Sequence, residues 1–140
     1  MVVIYLLILL IIIILYLIFS KMEKYTEFKK FNGINSFDNV FYINLKHRTD
    51  RKKQITNELD KMKINKNKII RINAVRNKLN GHIGCCKSHI KTLNKAKKMN
   101  LKNIIVFEDD FVFTLPKKDV DNKINYFLKK YKDWDIIQLT

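Results

Sequence analysis

The chain has 140 residues, with 28 Lys and Arg against 13 Asp and Glu, for a formal net charge of +15. Three glycines and one proline exclude collagen-like or linker character, two cysteines exclude a disulfide scaffold, and aromatic and β-branched residues along the chain argue against disorder. The charge invites a nucleic-acid reading. Nearly all of it is Lys, however, and AT-rich codons favour Lys, Asn and Ile together, so coding bias accounts for it without an anionic partner. No face clusters aromatic with basic residues, so nucleic acid is not an expected partner.

Val2–Phe19 is an unbroken apolar run of 18 residues with no charge. At helical rise it spans roughly 27 Å, near the hydrocarbon thickness of a bilayer. It lacks a basic segment before it and a small-residue cleavage site after it, so residues 1–20 are expected to form an uncleaved single-pass membrane anchor rather than a signal peptide. Lys21, Lys24, Lys29 and Lys30 follow the run, and the positive-inside rule then points the rest of the chain to the cytosol. Residues 21–38 form a polar tether, and residues 39–140 are expected to form one domain.

In that domain, Val40–Leu45 is an apolar run rich in aromatic and β-branched residues, as in a buried strand. Ile55, Leu59 and Met62 recur at helical spacing, with Thr49 or Asp50 as the N-cap. Ile69–Ile72 gives a second strand. Ile83, Cys86, Ile90, Leu93 and Ala96 mark a second helix opened by Gly84. Ile104–Phe107 is a third strand, Val120, Ile124, Phe127, Leu128 and Tyr131 stripe a third helix, and Trp134–Leu139 is a fourth strand. Strands alternating with helices predict an α/β fold with a parallel or mostly parallel sheet, right-handed crossovers, and ligands beyond the carboxyl ends of the strands.

Three features fall at such strand ends. Glu108, Asp109 and Asp110 follow the third strand, and adjacent carboxylates suit a hard divalent cation. Backbone alternation lets Glu108 and Asp110 share a face while Asp109 points away; a solvated acidic turn is the competing reading. Arg48 and Arg51, in Asn44–Arg51, sit at a helix start, where they suit phosphate or carboxylate recognition beside the helix dipole. Gly81–His89 holds two glycines, both cysteines and two histidines. Adjacent cysteines lack zinc-ligand spacing, so the thiols read as buried small side chains at a helix start, with Ser88 and His89 able to meet a ligand.

Together these stretches resemble glycosyltransferase family 25, which includes bacterial lipooligosaccharide and procollagen galactosyltransferases. Phe41–Arg51 is similar to the family's opening strand and its N-L-x-x-R-x-x-R-type turn. Gly81–Ile90 resembles its G-x-x-G-C-x-x-S-H block, Ile104–Asp110 its apolar-strand-E-D-D block, and Trp134–Leu139 the next strand. The resemblance covers residues 39–140, with a shorter segment than usual between Val75 and Gly81. It implies a GT-A-like, Rossmann-like nucleotide-sugar-binding sheet. It also implies transfer of a sugar, often galactose, from a UDP-sugar to a glycan or glycoprotein acceptor. By this resemblance Asp110, then Glu108, then Asp109 are the ligands of Mn²⁺ or another divalent cation. Asn44, Arg48, Arg51, Ser88, His89 and Glu108 line the donor site. In the family the domain continues past the fourth strand and that continuation supplies the acceptor contacts and the general base, so no base is assigned among residues 1–140. The alternatives are an inactive or truncated remnant that keeps the nucleotide-sugar site, and a basic membrane-anchored polyanion-binding protein.

Overall fold

A computed structural model describes residues 9–20 and 31–138. The chain divides into two units, residues 1–30 and 31–140. In the first, residues 9–20 are helical. Among the described residues no helix is long and apolar enough to cross a membrane. Residues 1–8 of the expected anchor and 21–30 of the expected tether lie outside the described residues.

The second unit is a mixed α/β fold around a parallel three-stranded sheet of order β2-β1-β3. In chain order it runs β1 (Asn39–Asn44), α1 (Thr49–Lys61), β2 (Ile69–Asn73), α2 (Gly81–Lys98), β3 (Ile104–Glu108) and α3 (Lys117–Lys130). β1 is central, with Ile43 beside both Ile72 and Glu108. Its continuous apolar run follows from burial on both faces. Val40 and Tyr42 pack with Ile55 and Leu59 of α1 and Ile124 of α3, whereas Phe41 and Ile43 pack with Ile72 and with Ala96 of α2. Each such fully buried side chain contributes about 1.5–3 kcal/mol of transfer free energy. The chain steps from β1 out to β2, then crosses back over β1 to β3. Helices α1 and α2 therefore cover opposite faces, and the direction of winding reverses between β1 and β3.

Four local expectations are corrected. The N-cap of α1 is Arg48 and no side chain caps it; Thr49 is the first helical residue. Helix α2 begins at Gly81 rather than Gly84, and Asn80 caps it by accepting from the backbone N–H groups of His82 and Ile83.

The third correction concerns the buried face of α2, which is Gly84, Ser88, Thr92 and Ala96. Of the predicted apolar stripe only Ala96 is inside; Ile83, Cys86, Ile90 and Leu93 are exposed. Small residues four apart let the helix approach closely, so that a Cβ on Gly84 would lie 2.6 Å from the Val75 carbonyl oxygen. Ser88 and Thr92 donate their hydroxyls to the carbonyls of Gly84 and Ser88, at 2.7 and 2.9 Å, which keeps their burial inexpensive.

The fourth correction is at residues 134–138, which form no strand. Trp134 stacks edge-on against Phe37 and Phe127, with ring centroids 6.4 and 6.3 Å away. β3 pairs only with β1 among the described strands, so its outer edge is open.

The second unit begins at residue 31. A short 3-10 turn, Gly33–Ser36, presents Ile34 and Phe37 to the core. Gly33 has φ +53°, and its N–H donates to Asn125 at 2.8 Å, while the Ile34 N–H donates to Asp121 at 3.2 Å, tying the turn to α3. A side chain on Gly33 would run into Asp121, so both the turn and the contact require glycine.

Candidate functional site

In a sheet of this order, ligands bind at the carboxyl ends of the strands where the winding reverses, between β1 and β3. The three stretches singled out by sequence meet there. Asn44 ends β1, Glu108 ends β3 with Asp109 and Asp110 following, and the first turn of α1 and the third turn of α2 bring Arg51 and His89 beside them.

Asn44 is the hub. It is 1% exposed. Its side-chain amide donates to Asp109 Oδ2 at 2.7 Å and to the Arg48 carbonyl at 3.0 Å. Its Oδ1 accepts from Nε and Nη2 of Arg71 at 3.1 and 2.8 Å. Arg51 Nη1 then bridges the acidic turn, 3.3 Å from Asp109 Oδ1 and 3.2 Å from Asp110 Oδ2. Arg48 turns elsewhere. Its guanidinium grips Asp50 within its own turn, as close as 2.6 Å, which holds the Asp50 carboxyl far below the usual range and raises Arg48.

The acidic triplet is thereby divided. Asp109 is buried, and both its oxygens are engaged by Asn44 and Arg51. Asp110 is exposed and paired with Arg51. Glu108 is exposed and faces α2, where its Oε1 lies 3.2 Å from His89 Nε2 and 3.4 Å from the Cys85 thiol. Desolvation, and then the carboxylate it donates to, push the Cys85 thiol up. As donors for a hard divalent cation, Glu108 and Asp110 offer accessible carboxylate oxygens and fit the role, whereas Asp109 is already spent on the protein.

Two expectations about the Gly81–His89 block change. Cys85 and Cys86 are exposed rather than buried. Ser88 is 1% exposed; besides its bond to Gly84, its Oγ accepts the Val75 N–H at 2.8 Å, so it fastens the loop before α2 to the helix instead of meeting a ligand. Sequence reasoning passed over Arg71, whose mid-strand position gave no signal. It weighed a Cys–His pairing in this block and set it aside, because adjacent cysteines lack zinc-ligand spacing, whereas Cys85 and His89 do meet at Glu108. The signal there was C-x-x-x-H, which on a helix puts both side chains on one face.

An apolar groove runs from this corner along the open edge of β3. Leu93, Ile124, Phe127 and residues 134–138 line it, and His89, Glu108 and Asp110 stand at its polar end. The groove has the mixed character of a small-molecule site, apolar walls with a few convergent polar groups.

Comparison with known proteins agrees with the motifs. Residues 60–140 match the profile of glycosyltransferase family 25 (LPS biosynthesis protein). Procollagen galactosyltransferase 1-A of Xenopus laevis is 30% identical over 129 aligned residues, which cover 74% of this chain and 21% of that protein. Procollagen galactosyltransferase 1-B of the same species is 29% identical over 139, covering 79% and 22%. The chain thus spans about a fifth of the length of the curated relatives it matches. No solved structure gives a significant match. With the family profile covering more than half of its length, the chain belongs to glycosyltransferase family 25.

Proposed function

We propose that this chain carries the donor-binding part of a metal-assisted, GT-A-type glycosyltransferase. In this reading the enzyme moves a sugar, with galactose the first candidate, from a UDP-sugar to a hydroxyl of a glycan or glycoprotein acceptor. The observation that carries the reading is the position of Glu108 and Asp110: two accessible carboxylates at the end of β3, at the point where the sheet reverses its winding, beside Arg51 and at the mouth of a groove.

The residues divide the work by their chemistry. Asp110, with Glu108 second, would hold Mn²⁺ or a similar hard cation, which when bound offsets the charge of the departing diphosphate. Arg51 lies within reach of the same charge and can offer a guanidinium to a phosphate oxygen. Asn44 and Asp109 position Arg51, fixing the floor of the site. His89 stands at the groove mouth, where it can contact the donor. Arg48 reaches the donor only by leaving Asp50. The apolar run at residues 2–19 would attach the protein to a membrane.

The test is calorimetry with UDP-galactose. Binding is expected only with Mn²⁺ present, and Asp110→Asn should weaken it by at least about tenfold, or 1.4 kcal/mol. Unchanged binding in Asp110→Asn would remove the metal-site assignment.

A further inference from the structure

We propose that Cys85, His89 and Glu108 form a three-ligand site for a borderline-soft divalent cation, Zn²⁺ being the ion that fits, with a fourth position open toward the groove. The proposal does not rest on the sugar-nucleotide reading, because both the donor set and its test concern the metal alone.

The geometry is the first argument. One ligand atom from each of the three residues lies within 4.8 Å of the other two. A tetrahedral zinc ion at ordinary bond lengths sets its sulfur and oxygen ligands about 3.5 Å apart, and its nitrogen and oxygen ligands about 3.3 Å apart. The Cys85 Sγ to Glu108 Oε1 distance is 3.4 Å, and His89 Nε2 to the same oxygen is 3.2 Å. Two edges of the tetrahedron are therefore already in place. The third edge, between the Cys85 sulfur and a His89 ring nitrogen, spans no more than 4.8 Å.

The scaffold is the second argument. Cys85 and His89 are four residues apart on α2, one turn along the same face, and Glu108 comes from the end of β3. Two ligands from a helix and one from a strand of the same core are held by tertiary packing rather than by a loop. The buried stripe of α2 seats the helix against the Val75 carbonyl, which fixes the height of Cys85 and His89 over the sheet.

The chemistry is the third argument. A thiolate, an imidazole and a carboxylate form the donor set of zinc rather than of Mn²⁺ or Mg²⁺, which prefer oxygen throughout. The thiolate and carboxylate together match a divalent charge. In the metal-free protein the Cys85 thiol donates to Glu108; on binding that proton leaves to solvent and sulfur takes the cation. The side chains of His89 and Glu108 are 42% and 53% exposed, and both residues line the groove. Three protein ligands with a solvent-facing fourth position is the pattern of a site able to hold water or an oxygen of a ligand.

Of the acidic triplet, Glu108 is the residue this site shares with the hard-cation site, whereas Asp110, beside Arg51, belongs to the hard-cation site alone. The experiment is a titration of the reduced 140-residue chain with Co²⁺, the spectroscopic stand-in for Zn²⁺. We expect a thiolate-to-Co²⁺ charge-transfer band at one equivalent, abolished by Zn²⁺. Cys85→Ser should lose the band, while Cys86→Ser and Asp110→Asn keep it. His89→Ala should weaken Co²⁺ binding by at least about tenfold. Cys85 is exposed, so its serine variant is expected to keep the wild-type unfolding temperature, which separates loss of a ligand from loss of the fold. Absence of a charge-transfer band in the wild-type chain overturns the proposal, as does a band that survives in Cys85→Ser. Because no sugar nucleotide is present, either result leaves the Mn²⁺-dependent UDP-galactose measurement on Asp110→Asn to stand or fall by itself.

Discussion

The side-chain amide of Asn44 donates to the Asp109 carboxylate at 2.7 Å, joining the end of β1 to the turn after β3 across 65 residues of sequence. This contact decides which of the three adjacent acids faces solvent. With Asp109 held inward by Asn44 and Arg51, Glu108 and Asp110 are left accessible on either side of it.

Asn44→Ala should therefore be a structural lesion with a functional echo. It strips partners from the Arg48 carbonyl, the Asp109 carboxylate and the Arg71 guanidinium at a buried point. Leaving such groups short costs about 1–3 kcal/mol and more for charged ones. Urea unfolding should show a loss of about 3 kcal/mol. Asn44→Asp should cost more, since it sets a second carboxylate against Asp109.

Arg51→Gln should lower both ligand affinity and stability. The Arg51 and Asp110 side chains are 38% and 57% exposed, so the loss of that ion pair should cost about 1 kcal/mol or less. Arg51 also pairs with Asp109, whose side chain is 11% exposed, and leaving that carboxylate short of a partner adds about 1–3 kcal/mol. UDP-galactose affinity should fall about tenfold, because a fixed guanidinium is lost from beside the diphosphate. Paired calorimetry and thermal unfolding check both halves of this expectation.

Gly84→Ala should displace α2. The new methyl group would meet the Val75 carbonyl at 2.6 Å, which backbone cannot relieve without moving the helix. Overpacking of this kind costs about 1–3 kcal/mol. Since α2 carries Cys85 and His89, Co²⁺ binding should weaken in parallel with the fall in unfolding temperature.

Glu58 provides an acid-sensitive link between α1 and the segment after β3. It is 5% exposed, takes the Lys61 ammonium at 2.5 Å, and accepts the Phe113 N–H at 3.1 Å. The Lys61 ammonium first, and the Phe113 N–H with it, hold its carboxyl below the ordinary glutamate range despite desolvation. A depressed carboxylate contributes stability that is present above its unfolded value and is lost as pH falls through its folded one. Glu58→Gln should thus be destabilised relative to wild type at neutral pH. Urea midpoints measured from neutral to acid pH should show that gap closing.

The sequence by itself determined β1, β2, β3, the three helices and the alternation that makes them a parallel α/β unit, but it also announced a fourth strand at Trp134–Leu139 that residues 134–138 do not form. Val40–Ile43 announces a strand covered on both faces, because burial on both sides tolerates no polar alternation. The motifs at Asn44–Arg51, Gly81–His89 and Glu108–Asp110 also fixed the family, since they pair unusual residue types at set spacings. Contacts distant along the chain were not legible. Hydrophobic periodicity assigned Ile83, Ile90 and Leu93 to the inside of α2, yet close approach to the segment after β2 selected Gly84 and Ser88, with Thr92 on the same face, and the two hydroxyls are satisfied on their own helix. Nor could spacing tell that Asp109 is claimed by Asn44, Asp110 by Arg51, and Glu108 by Cys85 and His89. Those partners converge only when the chain crosses back over β1 to form β3. Tertiary structure alone turned three equivalent acids into one structural carboxylate and two accessible ones.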